Sequence, residues 1–312
     1  MRGLTRHGWS RRRFLRAVCG GCAAVGAGLV PLNSVAGAPF RKAIPASGEM
    51  LPVIGMGTWI TFNVGPSPDL RAARTEVMRA FLQLGGGMVD SSPMYGSAEE
   101  VIGHSLRHIE DDGGLFSATK VWTRGARGGP GQMAESRSLW GLERFDLMQV
   151  HNLLSWQDHL ETMRQERDQG RIRYIGVTTS HGRRHDELER IMRNEDIDFV
   201  QLTYNVLDRE AEARLLPLAA DRGIAVIANR PFRQKALITR FERHPLPDWA
   251  DEIQCKNWPQ FLLKFIVSHP DVTCAIPATS RVDHMHENMG ALYGSQPDAA
   301  MRRRMVDYVE GL

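Results

Sequence analysis

The sequence predicts one α/β domain, a parallel eight-stranded (β/α)8 TIM barrel, and three observations lead to this prediction. Short β-rich or apolar runs alternate eight times with longer stretches of helical periodicity. The alternation fits within about 250 residues, which is the ordinary length of one such barrel. No internal repeat or low-complexity linker divides the chain, and its apolar fraction of 42% is enough for a full core.

Eight strands are predicted from β-branched or apolar runs bounded by turn residues. They span residues 54–58, 88–91, 115–120, 147–151, 174–178, 199–202, 225–228 and 273–276. The helices that follow them are predicted at about 70–84, 97–109, 131–141, 157–168, 184–193, 209–221, 258–268 and 281–293. A last helix, at 298–312, would cap the barrel.

One helix start is predicted from individual residues. Ser97 is followed three positions later by Glu100, which is the pattern of a capping box, and Ile102 and Leu106 then recur on one helical face. This places Tyr95 in a loop between a strand and a helix. In a barrel, such loops form the C-terminal face, where reacting groups collect.

The connection at residues 231–258 has little regular period, although it contains Phe232, Phe241 and Trp249. Connections of this length without structure of their own are uncommon unless they have a function. We therefore expect a flap over the substrate or the cofactor, with a plain surface loop as the alternative.

Residues 1–38 have the pattern of a cleavable export signal. They hold six arginines and no acidic residue, and the run Ser-Arg-Arg-Arg-Phe-Leu at 10–15 resembles the twin-arginine export motif. The apolar stretch at 17–30 falls short of the roughly 20 residues that span a bilayer. Ala36 and Ala38 suit cleavage. We expect the twin-arginine machinery to export a mature barrel of residues 39–312 to the periplasm; an uncleaved anchor is the alternative.

Charge and cysteine content limit the partners of the mature chain. The formal net charge is +3, and removing the six arginines of the leader leaves −3 (+3 − 6), so we expect no nucleic-acid partner. We also expect no stable membrane span once the leader is cleaved, because its apolar stretch is too short. Cys19 and Cys22 lie in the leader. Cys255 and Cys274 could form a disulfide in an oxidising compartment, but the position of Cys274 in a predicted buried strand favours free thiols.

Four polar residues follow predicted strands two, three and four: Asp90 with Tyr95, then Lys120, then His151. Barrel geometry would bring them to one mouth. A tyrosine hydroxyl has an unperturbed pKa of about 10, so proton donation near neutral pH requires a nearby cation, which Lys120 supplies. Asp90 would orient the ammonium group, and His151 would donate a hydrogen bond to a carbonyl oxygen as negative charge grows there.

The chain resembles the aldo-keto reductases from about residue 50 to 295. The matching segments are Gly-Met-Gly-Thr-Trp at 55–59, Asp-Ser-Ser-Pro-Met-Tyr-Gly at 90–96, Ala-Thr-Lys at 118–120, Asp-Leu-Met-Gln-Val-His at 146–151, Ile-Gly-Val-Thr at 175–178, Gln-Leu-Thr-Tyr-Asn at 201–205, and Ile-Pro at 276–277 with Glu-Asn at 287–288. The resemblance implies reduction of an aldehyde or ketone to an alcohol by hydride transfer from NADPH. It also implies that Tyr95 is the general acid and base.

The resemblance further implies a nicotinamide cofactor that lies extended across the barrel mouth. Thr178 and Gln201 would contact its carboxamide, together with Thr179, where the family usually has Asn. Asn229 occupies the position of the usual stacking aromatic residue. Gly57, Thr58, Thr279, Ser280, Arg281, Glu287 and Asn288 complete the implied cofactor contacts.

The cofactor choice rests on the segment after strand eight, where the family binds the adenosine half and its 2′-phosphate. Arg281 could donate two hydrogen bonds to that phosphate. His284 stands where a second basic residue is common. We therefore expect NADP(H), with NAD(H) as the less favoured alternative.

Two other classes of function remain open at this stage. One is a non-catalytic barrel that binds a cofactor or a partner, and the other is a cofactor-independent lyase or isomerase that uses the same tyrosine. No metal site is expected, because the pairs His104 with His108 and His181 with His185 lack acidic or thiol ligands that would complete one. The glycine-rich segment at 125–131 lacks the ending of a phosphate loop, so we expect it to line the pocket.

Overall fold

The structure is a computed structural model that describes residues 37–111 and 113–312. Except for its last two positions, the predicted export signal lies outside the described residues, together with its arginines and with Cys19 and Cys22. In the described part of the chain, no helix combines the length and the apolar character needed to cross a membrane.

A short hairpin that the sequence analysis missed precedes the barrel. Strand β1 (Arg41–Ala43) pairs antiparallel with β2 (Met50–Pro52). Ile44 and Leu51 of this hairpin are buried against Phe116 and Phe199, which begin two barrel strands. The hairpin therefore closes the N-terminal end of the barrel, and the opposite end stays open for a site.

Eight parallel strands form the barrel in chain order, as predicted. They are β3 (Met56–Gly57), β4 (Met88–Asp90), β5 (Phe116–Val121), β6 (Phe145–Val150), β7 (Ile172–Thr178), β8 (Phe199–Thr203), β9 (Ala225–Asn229) and β10 (Cys274–Ala275). Contacts between the first and last strands close the sheet. Ile54 bridges Ala275 in parallel, and the N–H of Gly57 donates to the carbonyl of Pro277 at 2.9 Å.

The helices surround the strands and bury their apolar faces against them. They are α1 (Pro68–Gln83), α2 (Ala98–Leu106), α3 (Gly129–Trp140), α4 (Trp156–Asp168), α5 (His185–Asn194), α6 (Leu215–Arg222), α7 (Ala236–Phe241), α8 (Trp258–Val267), α9 (Val282–Met289) and α10 (Ala299–Glu310). Nine of the ten correspond to predicted helices, and α7 is the addition. The predicted alternation of strands and helices is therefore confirmed.

The predicted capping box at the start of α2 is wrong, although the helix begins where expected. The Ser97 hydroxyl accepts the N–H of Gly65 at 2.8 Å and contacts Asn63 Oδ1 at 3.1 Å, so it does not cap the helix. Glu100 instead pairs with Arg71 of α1 at 2.6 Å. Both side chains instead bind residues of the preceding loop and of α1, which are distant in the sequence.

The connection at 231–258 contains helical structure, so the expectation of a segment with little regular period is wrong. It contains α7 and a 3₁₀ helix at Asp248–Ile253. Phe241 is fully buried and stacks on Trp258, with ring centres 5.2 Å apart. The middle of the connection is therefore packed against α8.

Cys255 and Cys274 are free thiols, and both are buried. Burial raises the pKa of each thiol above its ordinary value. Neither cysteine is therefore a reactive thiolate at neutral pH.

Candidate active site

The four predicted acid-base residues meet at the C-terminal end of the barrel. Asp90 ends β4, Lys120 is the next-to-last residue of β5, and His151 follows β6. Tyr95 ends a single 3₁₀ turn after β4. The Lys120 ammonium lies 5.2 Å from the centre of the Tyr95 ring, which meets the His151 ring edge-on at 5.7 Å.

Local sequence explains why Tyr95 sits in a defined turn. The Ser92 hydroxyl accepts the N–H of Met94 at 3.2 Å and so caps the turn, which begins at Pro93. Gly96 ends the turn with φ of 61°, a conformation that favours glycine. A Cβ at this position would come within 2.4 Å of Asn63 Oδ1. Loop and turn together hold the phenol at the mouth.

Asp90 and Lys120 form a buried ion pair below Tyr95. Lys120 Nζ donates to Asp90 Oδ2 at 2.5 Å and to the carbonyl of Ser91 at 2.7 Å. The other carboxylate oxygen of Asp90 accepts from Gln149 at 2.9 Å and Gln201 at 3.1 Å. Burial alone would lower the pKa of Lys120, but the Asp90 carboxylate raises it above its ordinary value, so the ammonium stays charged.

The electrostatics keep Tyr95 protonated and His151 neutral. Burial raises the pKa of Tyr95, while the charge of Lys120 and a hydrogen bond from it act in the opposite direction. Burial, followed by the charge of Lys120, lowers the pKa of His151 to about 3. At neutral pH the site thus presents a phenol that can lose its proton to a product and an imidazole that is uncharged.

Exposed apolar side chains lie in the segments that follow β3, β4 and β5, at the same end of the barrel. Trp59 and Ile60 follow β3, Met94 precedes Tyr95, and Trp122 follows β5. The Trp122 ring lies 6.4 Å from that of His151. Apolar surface beside a few convergent polar groups is typical of a small-molecule site. The sequence analysis missed Trp122, although an aromatic residue two positions after Lys120 was an available signal.

Polar side chains at the C-terminal ends of β7, β8 and β9 lie next to the acid-base residues. Asn229 Nδ2 donates to the carbonyl of Thr179 at 2.8 Å, and its Oδ1 accepts from Thr203 at 2.8 Å. Gln201 is bound to Asp90, as described above. The Thr179 hydroxyl is buried and has no hydrogen-bond partner. Of the predicted carboxamide contacts, Thr179 therefore offers the free polar group that a ligand would satisfy.

Two predicted cofactor contacts are already used by the protein itself. The Thr58 hydroxyl donates to the Asp90 carbonyl at 2.9 Å and contacts Ser91 Oγ at 2.9 Å. Gly57 closes the barrel against the segment after β10, where an added Cβ would lie 2.9 Å from the carbonyl oxygen of Ile276. Both residues shape the strand ends that carry the site.

A cleft of about 680 Å³ lies between α1 and α9, where the adenosine half was predicted. Arg281 lines it, and its Nε donates to Asp283 at 2.9 Å. Arg74, which the sequence analysis missed, reaches the Ser280 carbonyl at 3.1 Å. The lining of the cleft thus holds one guanidinium with the carboxylates of Glu76 and Asp283, and Arg74 contacts its edge through Ser280. Thr279 accepts the backbone N–H of Arg281, and Glu287 and Asn288 belong to α9.

The fold and the site define a (β/α)8 barrel with a buried tyrosine, lysine and aspartate group at its C-terminal face. The model of the aldo/keto reductase family matches residues 53–302, and the chain belongs to this family. The chain is 25% identical to a methylglyoxal reductase (YeaE) of Escherichia coli over 258 residues, which cover 81% of the chain and 89% of that protein. It is 28% identical to pyridoxine 4-dehydrogenase of E. coli over 253 residues, covering 73% and 83%.

A solved structure has the same fold. It is the aldo/keto reductase of Klebsiella pneumoniae in complex with NADP and acetate. The TM-score is 0.71 at 23% identity, and the match covers 84% of this chain and 93% of that one.

Proposed function

We propose that this aldo/keto reductase family member reduces an aldehyde or ketone to an alcohol, with Tyr95 as the proton donor and NADP(H) as the cofactor. The observation that carries the proposal is the buried Asp90 and Lys120 ion pair directly below Tyr95. A buried charge pair is costly to maintain, and here its cation faces the phenol ring of Tyr95.

Five side chains contribute to the reaction at the substrate carbonyl. His151 donates a hydrogen bond to the carbonyl oxygen and stabilises the charge that grows there. The O–H bond of Tyr95 breaks, and its proton passes to the same oxygen to give the alcohol. Lys120 balances the charge left on the phenolate, while Asp90 holds the ammonium in place. Trp122 shields one side of the reacting carbonyl from water.

The residues present fit a nicotinamide cofactor. The unpartnered hydroxyl of Thr179 would bind its carboxamide, and Arg74 and Arg281 would bind phosphate at the cleft beside α9. When bound, the cofactor supplies the hydride that reduces the carbonyl carbon. Arg281 must exchange Asp283 for the phosphate, so Arg74 carries more of the preference for NADPH.

The relatives support the cofactor class and leave the preference to experiment. The K. pneumoniae structure contains NADP, whereas another E. coli relative, 23% identical to this chain, is described as an NADH-specific methylglyoxal reductase. Fluorescence titration of the mature domain with NADPH and NADH decides between them. We expect tighter binding of NADPH and loss of that preference in Arg74→Ala.

Tyr95→Phe is the direct test of the proton donor. It should abolish cofactor-dependent turnover of aldehydes while NADPH binding, measured by tryptophan quenching, stays within about twofold of the parent. The matched control is Tyr308→Phe, because Tyr308 lies on α10 and its hydroxyl donates to the Pro245 carbonyl at 3.0 Å. Undiminished turnover in Tyr95→Phe would refute the assignment.

A non-catalytic barrel is the second candidate, and Asn229 is the observation that favours it. Its amide is buried and hydrogen-bonded to Thr179, so it offers no flat ring to stack on a nicotinamide. If the purified domain bound neither nucleotide, this candidate would replace the reductase.

We further propose that residues 1–38 direct twin-arginine export and are then removed. The N–H of Phe40 bonds to the Leu292 carbonyl at 2.8 Å, so cleavage after Ala38 leaves the barrel contacts intact. An exported reductase needs a cofactor that is retained and recycled by a second substrate. Replacing Arg12 and Arg13 by Lys should keep the protein in the cytoplasmic fraction, whereas the same change at Arg2 and Arg6 should not.

A further inference from the structure

A basic cavity lies beside the reaction site, between the segments that follow β6 and β7. Its volume is about 290 Å³, and it is lined by Asn152, Thr179, Ser180, His181, Arg183 and Arg184. Asn152 directly follows His151 in the chain, and Thr179 bears the free hydroxyl described above. The cavity is therefore adjacent to the place where a carbonyl would meet His151.

Hydrogen bonds between the two segments preform this cavity. The N–H of Asn152 donates to Thr178 Oγ1 at 2.9 Å, and Ser180 Oγ donates to Asn152 Oδ1 at 3.2 Å. Arg184 Nη1 donates to the Asn152 carbonyl at 2.6 Å. Arg184 also pairs with Glu187, so its charge is balanced and it ties the segments together.

Arg183 brings an unbalanced positive charge to the wall of the cavity. Within residues 37–111 and 113–312, its exposed guanidinium has no ion-pair or hydrogen-bond partner. Arg230 forms no ion pair in the same part of the chain, and the nearby Asp208, whose charge acts on it, pairs with Arg233. Burial, and then the charges of Arg230 and Arg183, lower the pKa of His181, while the Asp208 carboxylate acts in the opposite direction. Arg183 is therefore the cation at the cavity wall whose charge no carboxylate pairs with among the described residues.

The cavity is separate from the proposed phosphate cleft of the cofactor. That cleft adjoins the segment after β10, and strands β8 and β9 lie between β10 and β7. A cofactor that runs from the cleft to Thr179 ends where this cavity begins. An occupant of the cavity would therefore lie beside the nicotinamide end of such a cofactor, next to the place where a substrate must bind.

We propose that the substrate carries an anionic group remote from its carbonyl, and that Arg183 and Asn152 bind this group in the cavity, with Ser180 holding the Asn152 side chain in place. The inference rests on the proposed function and adds the substrate class: a carbonyl compound with a carboxylate or another small anion. Arg183 supplies the planar fork that suits a carboxylate, and the side-chain amide nitrogen of Asn152 adds a neutral donor, which Ser180 orients by its hydrogen bond to Asn152 Oδ1.

The test compares one charged and one neutral ligand of the same shape. Isothermal titration of the cofactor-loaded mature protein measures binding of 4-(hydroxymethyl)benzoate and of its methyl ester, and kinetics use the corresponding aldehydes. We expect the carboxylate to be preferred by about tenfold or more, the lower end of what a hydrogen bond to a charged group contributes. Added salt should reduce this preference.

Arg183→Gln should remove most of the preference, and Arg183→Glu should reverse it. The matched control is Arg190→Gln, because Arg190 is exposed on the neighbouring helix α5 away from the cavity. Equal binding of the acid and the ester, or binding of neither, would overturn the inference. Weaker NADPH binding in Arg183→Gln with an unchanged ligand preference would also overturn it. A carboxylate preference without turnover of either aldehyde would support the cavity and refute the reductase function instead.

Discussion

The hydroxyl oxygen of Ser92 lies 2.8 Å from Nδ1 of His151, and both side chains are buried. That oxygen accepts the N–H of Met94, and the hydroxyl can donate to His151. Because the imidazole is neutral, a hydrogen bond donated to Nδ1 places the ring proton on Nε2. We infer that Ser92 selects this tautomer, which can donate a hydrogen bond from Nε2 to a substrate carbonyl.

Ser92→Ala should lower kcat by about tenfold and leave KM nearly unchanged, because the tautomer matters most when charge develops on the carbonyl oxygen. The measurement is steady-state reduction of an aldehyde at saturating cofactor. Ser92→Thr keeps the hydroxyl and should restore the rate. The ¹⁵N shifts of His151 should report protonated Nε2 in the parent and in the Thr variant, and mixed tautomers in the Ala variant. Unchanged shifts in Ser92→Ala would contradict the assignment.

The neutral His151 should make stability depend on pH. Its folded pKa of about 3 lies below its ordinary value of 6.5, so the unfolded chain binds more protons between these values. Its contribution is fully present above pH 6.5 and is lost as the pH falls towards 3, with a slope of at most about 1.4 kcal/mol per pH unit. Denaturant titrations of the parent and His151→Gln at several pH values measure this. The difference between the two should be flat above pH 6.5, and a difference that grows there would count against burial of a neutral ring.

The Asp90 and Lys120 pair should be strongly coupled. Removing one partner leaves a buried, uncompensated charge or orphaned donors, so Asp90→Ala should lower the free energy of unfolding by about 3–5 kcal/mol. Lys120→Met alone should also destabilise the fold. The double variant should be more stable than the sum of the two single changes predicts, which a double-mutant cycle by urea denaturation measures. Additive losses would mean that the two side chains act independently. Turnover should be lost in all three variants.

The barrel could be predicted from the sequence because parallel strands buried on both faces read as continuous apolar runs. Strand β8 at Phe199–Thr203 is an example, since all five of its residues are buried. The hairpin at β1 and β2 could not be predicted. Each of its strands has three residues, and its stability comes from packing Ile44 and Leu51 into the barrel end, a contact with no local signature.

The positions of the site residues could be predicted better than their partners. Asp90, Lys120 and His151 follow from strand ends, which are a local property of the chain. Arg281 pairs with Asp283, two residues further along the chain, and the sequence did not indicate which acceptor this arginine would choose. Arg74 was missed because α1 approaches Ser280 only in the folded barrel.

The closure of the barrel at Gly57 gives a prediction about stability alone. An added Cβ there would lie 2.9 Å from the backbone carbonyl oxygen of Ile276, and backbone cannot move aside as a flexible side chain can. Gly57→Ala should therefore lower the free energy of unfolding by about 1–3 kcal/mol, as overpacking does in other cores.

Gly131→Ala is the matched control. Gly131 lies in α3 with no atom within 4 Å of the new Cβ, and the same change should leave stability unchanged or raise it by up to about 1 kcal/mol. Chemical denaturation of both variants at pH 7 measures the two changes in the free energy of unfolding. Equal changes would contradict the prediction, because they would show that the close approach of β3 to the segment after β10 leaves room for a Cβ at position 57.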